Sequence, residues 1–114
     1  MARYLLLMRG DQARFAALPA REQGRIIAEH RAYSDRLETE GRLEEGDGLA
    51  FDSLLLRREG GRVSRSSRPF AGTEQQLSGF YIVEAADDEA ALVLAEACPA
   101  LLHGESVELV RLGH

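Results

Sequence analysis

Apolar positions recur along this chain with two different periods. Arg3 to Arg9 (RYLLLMR) places Tyr4, Leu6 and Met8 on one side and Leu5 and Leu7 on the other, because strand side chains alternate between faces. Ser78 to Glu84 does the same, with Phe80 and Ile82 opposed to Gly79, Tyr81 and Val83. Neither run has a polar face. Such strands belong in the interior of a covered sheet. The second follows a polar turn holding Pro69 and Gly72, within the stretch Ser66 to Ala85. The loop is therefore expected to open onto the centre of the protein.

Between these strands the period lengthens. Asp11 to Leu18 predicts an irregular helical turn after Gly10 and Asp11 end the first strand. Pro19 is suited to the first position of a long helix running to Thr39, closed by Gly41, since that position needs no backbone donor. Ile26, His30, Tyr33 and Leu37 form its apolar seam. Past Gly41, glycines punctuate short runs. Ser53 to Arg58 predicts a strand, Glu59-Gly60-Gly61-Arg62 a hairpin turn, and Arg62 to Arg65 a polar return strand. Asp87 caps a further helix with Asp88 and Glu89 in its first turn and Pro99 at its end. Ser106 to Leu112 predicts the last strand, with Val107 and Leu109 opposed to Glu108 and Val110.

Strand, helix, strands, central strand, helix, strand is the order of an α+β sandwich of the ferredoxin-like type, an antiparallel sheet with two main helices on one face. Two helices cover only one face of a sheet that is apolar on both. A second copy is the simplest cover for the other, so a homodimer is expected.

Composition narrows the partners. The 114 residues, 45% apolar and 29% charged, predict one domain over residues 1–114. With 19 acidic against 14 basic residues the net charge is -5, which leaves no excess of positive charge for phosphates, so nucleic acid is not an expected partner. All the basic residues are arginine. Lysine Schiff-base chemistry and a Walker-type phosphate loop are thereby excluded. Cys98 is the single cysteine and has no internal disulfide partner, the N-terminus lacks a secretory pattern, and Tyr4 to Met8 is far shorter than the roughly 20 apolar residues of a membrane span. A reducing cytoplasm and no membrane contact are expected.

Candidate chemistry gathers around His30. An imidazole on a helix seam serves either as a general acid or base or as a core histidine with one nitrogen satisfied. Ser67 offers a nucleophile only beside an activating base, and is otherwise a turn hydroxyl. Arg68 either grips a carboxylate or phosphate with its planar fork or is an exposed loop residue. Tyr81 either packs in the sheet or presents its hydroxyl to a pocket. Glu74 is the better candidate carboxylate, because Asp35 lies five residues after His30, a rotation of roughly 140°. His103 and His114 are too isolated to form a metal site with His30. No metal or cofactor is expected.

In this order and spacing, several segments are similar to one family. Tyr4-Leu5-Leu6-Leu7, His30-Arg31-Ala32-Tyr33 with Leu37 and Gly41, Pro69-Phe70-Ala71 with Thr73, Leu77 and Gly79-Phe80-Tyr81, then Cys98-Pro99 and His103-Gly104-Glu105-Ser106-Val107-Glu108 resemble the YCII-related proteins. The likeness is to the branch named for its DGPFAETKE motif. The resemblance implies a ferredoxin-like fold, a dimeric α/β barrel, and a pocket where the helix histidine meets the motif aspartate. Here Ser67 and Arg68 stand for the aspartate and glycine, and Gly72, Glu74 and Gln75 for the motif's glutamate, lysine and glutamate. His30 thereby loses the carboxylate that would orient it.

Three functions follow as expectations. The first is a dimeric protein binding a small anionic or oxygen-rich molecule in a degenerate acid–base pocket, with polar contacts from His30, Ser67 and Arg68 and with Glu74 and Tyr81 as further ligand-binding residues. The second is a cofactor-independent lyase, isomerase or hydrolase in which His30 moves protons and Arg68 stabilises negative charge. The third, implied by relatives encoded beside alternative sigma factors, is a regulatory interaction protein.

Overall fold

Alternation between Tyr4 and Met8 is realised in the computed structural model, which describes residues 1–50, 52–67 and 76–113, as the first strand, β1 (Ala2–Arg9). After it come α1 (Gln12–Ala16), α2 (Ala20–Thr39), β2 (Leu43–Gly48), β3 (Leu54–Glu59) and β4 (Arg62–Ser67). The chain continues through β5 (Leu77–Ala85), α3 (Asp88–Glu96), a 3₁₀ turn (Pro99–Leu102) and β6 (Ser106–Arg111). Four strands form an antiparallel sheet in the order β2-β5-β1-β6. The two strands with doubly apolar sequences, β1 and β5, are the inner pair. This order, with helices between β1 and β2 and between β5 and β6, is compatible with a ferredoxin-like α+β fold.

Among the described residues only one sheet face is packed. Tyr4, Leu6 and Met8 of β1 and Tyr81, Val83 and Ala85 of β5 are buried together with Tyr33 and Leu37 of α2 and Ala91 and Ala95 of α3. On the opposite face Leu5 lies across from Ile82 and Val110, and Leu7 across from Phe80, and these five side chains are half-buried. Arg9 and Glu108 pair at 2.5 Å between β1 and β6.

Helix ends follow local chemistry. The Asp11 carboxylate accepts from the Arg14 amide at 3.1 Å and caps α1. Pro19, expected as the first helical residue, stands one position outside α2: its ψ of 147° turns the chain between α1 and α2, and its carbonyl accepts from the Gln23 amide at 3.1 Å. The Gln23 side chain donates back to the carbonyls of Ala16 and Leu18. At the other end Gly41 takes φ +70°, its amide donating to the Glu38 carbonyl and the Arg42 amide donating to the Leu37 carbonyl. That paired closure is a Schellman motif. Asp87 caps α3 through the Ala90 amide at 2.9 Å, and Pro99 opens the 3₁₀ turn just beyond the helix cap Ala97.

β3 and β4 form a two-stranded sheet of their own. Their turn is Gly60-Gly61, with φ of 55° and 80°, the doubly left-handed geometry that matches the twist of a two-residue hairpin. The pairing begins at Leu54 rather than Ser53 and runs to Ser67 rather than Arg65. The polar turn holding Pro69 and Gly72 lies outside the described residues.

β2, LEEGDG, lacks the sequence of a strand. Its partner β5 holds it at the sheet edge, and Gly46 is the reason it fits. A Cβ on Gly46 would stand 2.6 Å from Cδ1 of Tyr81, its cross-strand partner, whereas a Cβ on Gly48 would meet nothing within 4 Å. Gly46→Ala should therefore destabilise the protein by about 1–3 kcal/mol through overpacking, while Gly48→Ala leaves the denaturation midpoint nearly unchanged. Equal midpoints for the two variants in urea would contradict this packing.

Candidate functional site

α2 meets the sheet closely only in its second half, where Tyr33 and Leu37 are buried. Earlier along the same seam Ile26 and His30 are half-buried and Ile27 is exposed. A cavity of about 890 Å³ occupies this region, bounded by α1, α2, β2, β5 and β1. Met8, Phe15, Ile26, Ile27 and Leu49 supply its apolar wall, and Gln12, His30, Arg31, Ser78, Tyr81 and Glu105 its main polar groups. Gln12 ties α1 to the sheet, its amide donating to the carbonyls of Leu49 at 3.2 Å and Leu77 at 3.1 Å.

His30 and Tyr81 form the best-defined pair. His30 Nδ1 lies 2.8 Å from the Tyr81 hydroxyl, the rings stack at 6.1 Å and 16°, and the same hydroxyl is 3.5 Å from the His30 carbonyl. Tyr81 is 6% exposed and meets Tyr33 edge to face at 5.2 Å, a contact contributing roughly 0.5–1.5 kcal/mol beyond area burial. The Tyr33 hydroxyl in turn donates to the Leu94 carbonyl at 2.5 Å, linking the aromatic pair to α3.

Burial sets the protonation of both groups. It is the largest influence on His30 and holds its pKa below the ordinary value; the charges of Glu105 and Glu29 pull the other way, and His103 adds to the lowering. Burial also pushes Tyr81 well above the usual phenol range. At neutral pH the pair is thus a neutral imidazole and a protonated phenol. When the phenol donates to Nδ1, the ring proton sits on Nε2; when Nδ1 donates to the phenol oxygen, Nε2 is the acceptor. Nε2 has no hydrogen-bond partner among the described residues. The ring can therefore exchange a proton with a bound molecule while Tyr81 keeps its orientation.

Glu105 is the carboxylate that sequence reasoning missed. Ser78 Oγ donates to its Oε1 at 2.6 Å. The preceding Gly104 adopts φ +79°, and the Glu105 amide donates to the Ala100 carbonyl, so a turn aims this side chain before β6 begins. Its segment, His103-Gly104-Glu105-Ser106, was visible as part of a family-like ending. Nothing in sequence spacing links it to a helix so far upstream. His103 contacts the Glu29 carboxylate, joining the same turn to α2.

Of the residues singled out from sequence, His30 and Tyr81 share the cavity. Ser67 ends β4 across from Leu54, is exposed, and is not among the described residues lining the cavity. Arg68 and Glu74 lie outside the described residues. Asp35 is exposed on α2. Cys98 is buried, its thiol pushed up by desolvation. Among the described residues no group of three or more His, Cys, Asp or Glu side chains is placed to hold a metal ion, and no helix is long and apolar enough to cross a membrane.

Compared with known proteins, the chain matches the family model described as the YCII-related domain over residues 2–112. No curated protein matches it.

Because the folded pKa of His30 is lowered from 6.5, its neutral form favours folding. That contribution is complete above about pH 6.5 and is lost as pH falls through this value toward the folded pKa. The difference in unfolding free energy between wild type and His30→Asn should shrink, relative to its value at about pH 7.5, when measured at about pH 5.5. A constant difference in parallel urea titrations would show that His30 is not held neutral by burial.

Proposed function

The chain belongs to the YCII-related domain family, and from that premise we propose that it binds a small organic molecule in the cavity over His30 and Tyr81. One observation carries this reading: a cavity with an apolar wall contains an imidazole fixed through one nitrogen and unpartnered at the other among the described residues. Apolar lining with a few converging polar groups is the usual form of a small-molecule site. An open cavity, as opposed to one filled by bulky side chains, favours this reading over a purely regulatory contact.

Within the family, we place the chain in the DGPFAETKE branch with a degenerate motif, on the strength of Pro69-Phe70-Ala71 and the serine at position 67. Contacts to an anionic or oxygen-rich molecule are expected from His30, Ser67 and Arg68; with Ser67 on the hairpin, the reading rests on His30 together with Tyr81. The neutral state of His30 and its free Nε2 also favour a second reading, a cofactor-independent lyase, isomerase or hydrolase with His30 as general acid or base.

The uncovered sheet face belongs to the same proposal. Leu5, Leu7, Phe80, Ile82 and Val110 form a contiguous apolar surface by strand register, and a second copy would remove it from water.

Native mass spectrometry against a metabolite library should detect a retained small molecule, and His30→Ala should weaken it by about tenfold or more. Uniformly empty protein across the library would turn the assignment toward an interaction role. Light scattering should give twice the 12.6 kDa chain mass, with Leu7→Arg shifting it toward monomer. A wild-type monomer at the lowest measurable concentration would remove the dimer from the proposal.

A further inference from the structure

Charge on the cavity wall is unevenly distributed. Its described charged residues are Glu105, Asp47 and Arg31. Asp47 pairs with Phe80, so its side chain belongs to the opposite sheet face. Arg31 is exposed on α2, about 100° around the helix from His30, which leaves Glu105 as the carboxylate of the cavity. Glu105 is in no ion pair among the described residues. Glu105 is also held in place. Ser78 engages Oε1 at 2.6 Å, while Oε2 has no hydrogen-bond partner among the described residues.

Gly10 shows that the chain keeps room for this glutamate. Its backbone is not left-handed, so conformation does not require a glycine. A Cβ there would instead stand 2.4 Å from Glu105 Cγ and 2.8 Å from its carboxyl carbon. Any side chain at position 10 would expel the carboxylate from its seat.

Building on the cavity reading, we propose that the ligand is an amphipathic amine, with its apolar body along Phe15, Ile26 and Ile27 and its ammonium group received by Glu105. A neutral His30 with its proton on Nδ1 adds Nε2 as a further acceptor for an ammonium N–H. An anion in the same place would face the Glu105 carboxylate and a neutral imidazole. A cation meets a carboxylate without an ion-pair partner among the described residues, and charge-assisted hydrogen bonds of this kind are the strong ones.

Three probes of equal chain length separate the possibilities: octylamine, octan-1-ol and octanoate, titrated into the full chain at neutral pH while the His30 ring resonances are followed by NMR. Octylamine should bind about tenfold more tightly than either of the others, and Glu105→Gln should remove that preference while leaving octan-1-ol binding unchanged. Ser78→Ala, which removes the hydroxyl that seats Glu105, should reduce the amine-to-alcohol ratio and decides the matter if Glu105→Gln does not fold. Equal affinities, a preference for octanoate, or an amine preference that survives both substitutions would overturn the amine assignment. The cavity reading would still stand in those cases, because His30 would report a bound probe. If none of the three probes moves the His30 resonances, the cavity reading and the amine assignment fall together.

Discussion

A tyrosine hydroxyl buried at the centre of a sheet must have a hydrogen-bond partner, and much of this structure is arranged around providing one for Tyr81. Its strand is an inner one, its ring is covered by Tyr33, and its hydroxyl lies 2.8 Å from His30 Nδ1. Leaving that hydroxyl unpaired would cost about 1–3 kcal/mol. The edge strand beside it has a glycine at the cross-strand position because the ring occupies the space of a Cβ. Three elements, α2, β2 and β5, are thus held in register by one side chain. The same contact orients the histidine that faces the cavity.

The cavity itself comes from incomplete packing of α2. Tyr33 and Leu37 seat the second half of the helix, and the first half carries Ile26 and Ile27 over open space instead of into the sheet. Gln23 and Gln12 keep that space from collapsing, one joining α1 to the start of α2 and the other joining α1 to the strand ends. An apolar wall left open in this way sacrifices part of the burial a tighter core would gain. The proposed binding of a small molecule would account for the sacrifice, since a filled core has no room for a ligand.

Electrostatics divides the site into a fixed pair and a free carboxylate. Tyr81 and His30 satisfy each other and are held neutral by burial. Glu105 sits across the strand ends, steadied by Ser78 and admitted by Gly10. The cavity therefore contains a negative charge that does not come from the Ser67 strand. Its source is the turn before β6, where Gly104 redirects the backbone.

Local periodicity determined a large part of this architecture. The alternation in β1 and β5, the seam Ile26-His30-Tyr33-Leu37, the Asp87 cap and the Gly60-Gly61 turn are all short-range features, and each is present where adjacent residues specify it. His30 and Tyr81 were legible as candidates for the same reason: one sits on a seam and the other on a doubly apolar strand. β2 was not, because a charged, glycine-rich hexapeptide becomes a strand only when β5 supplies its hydrogen bonds. Glu105 was not, because its role depends on Ser78 and Gly10, which only the antiparallel pairing of β1 with β5 and β6 brings beside it. A sequence encodes the preferences of neighbouring residues directly; the meeting of distant ones is decided by which surfaces can be buried together, and that is a property of the folded chain.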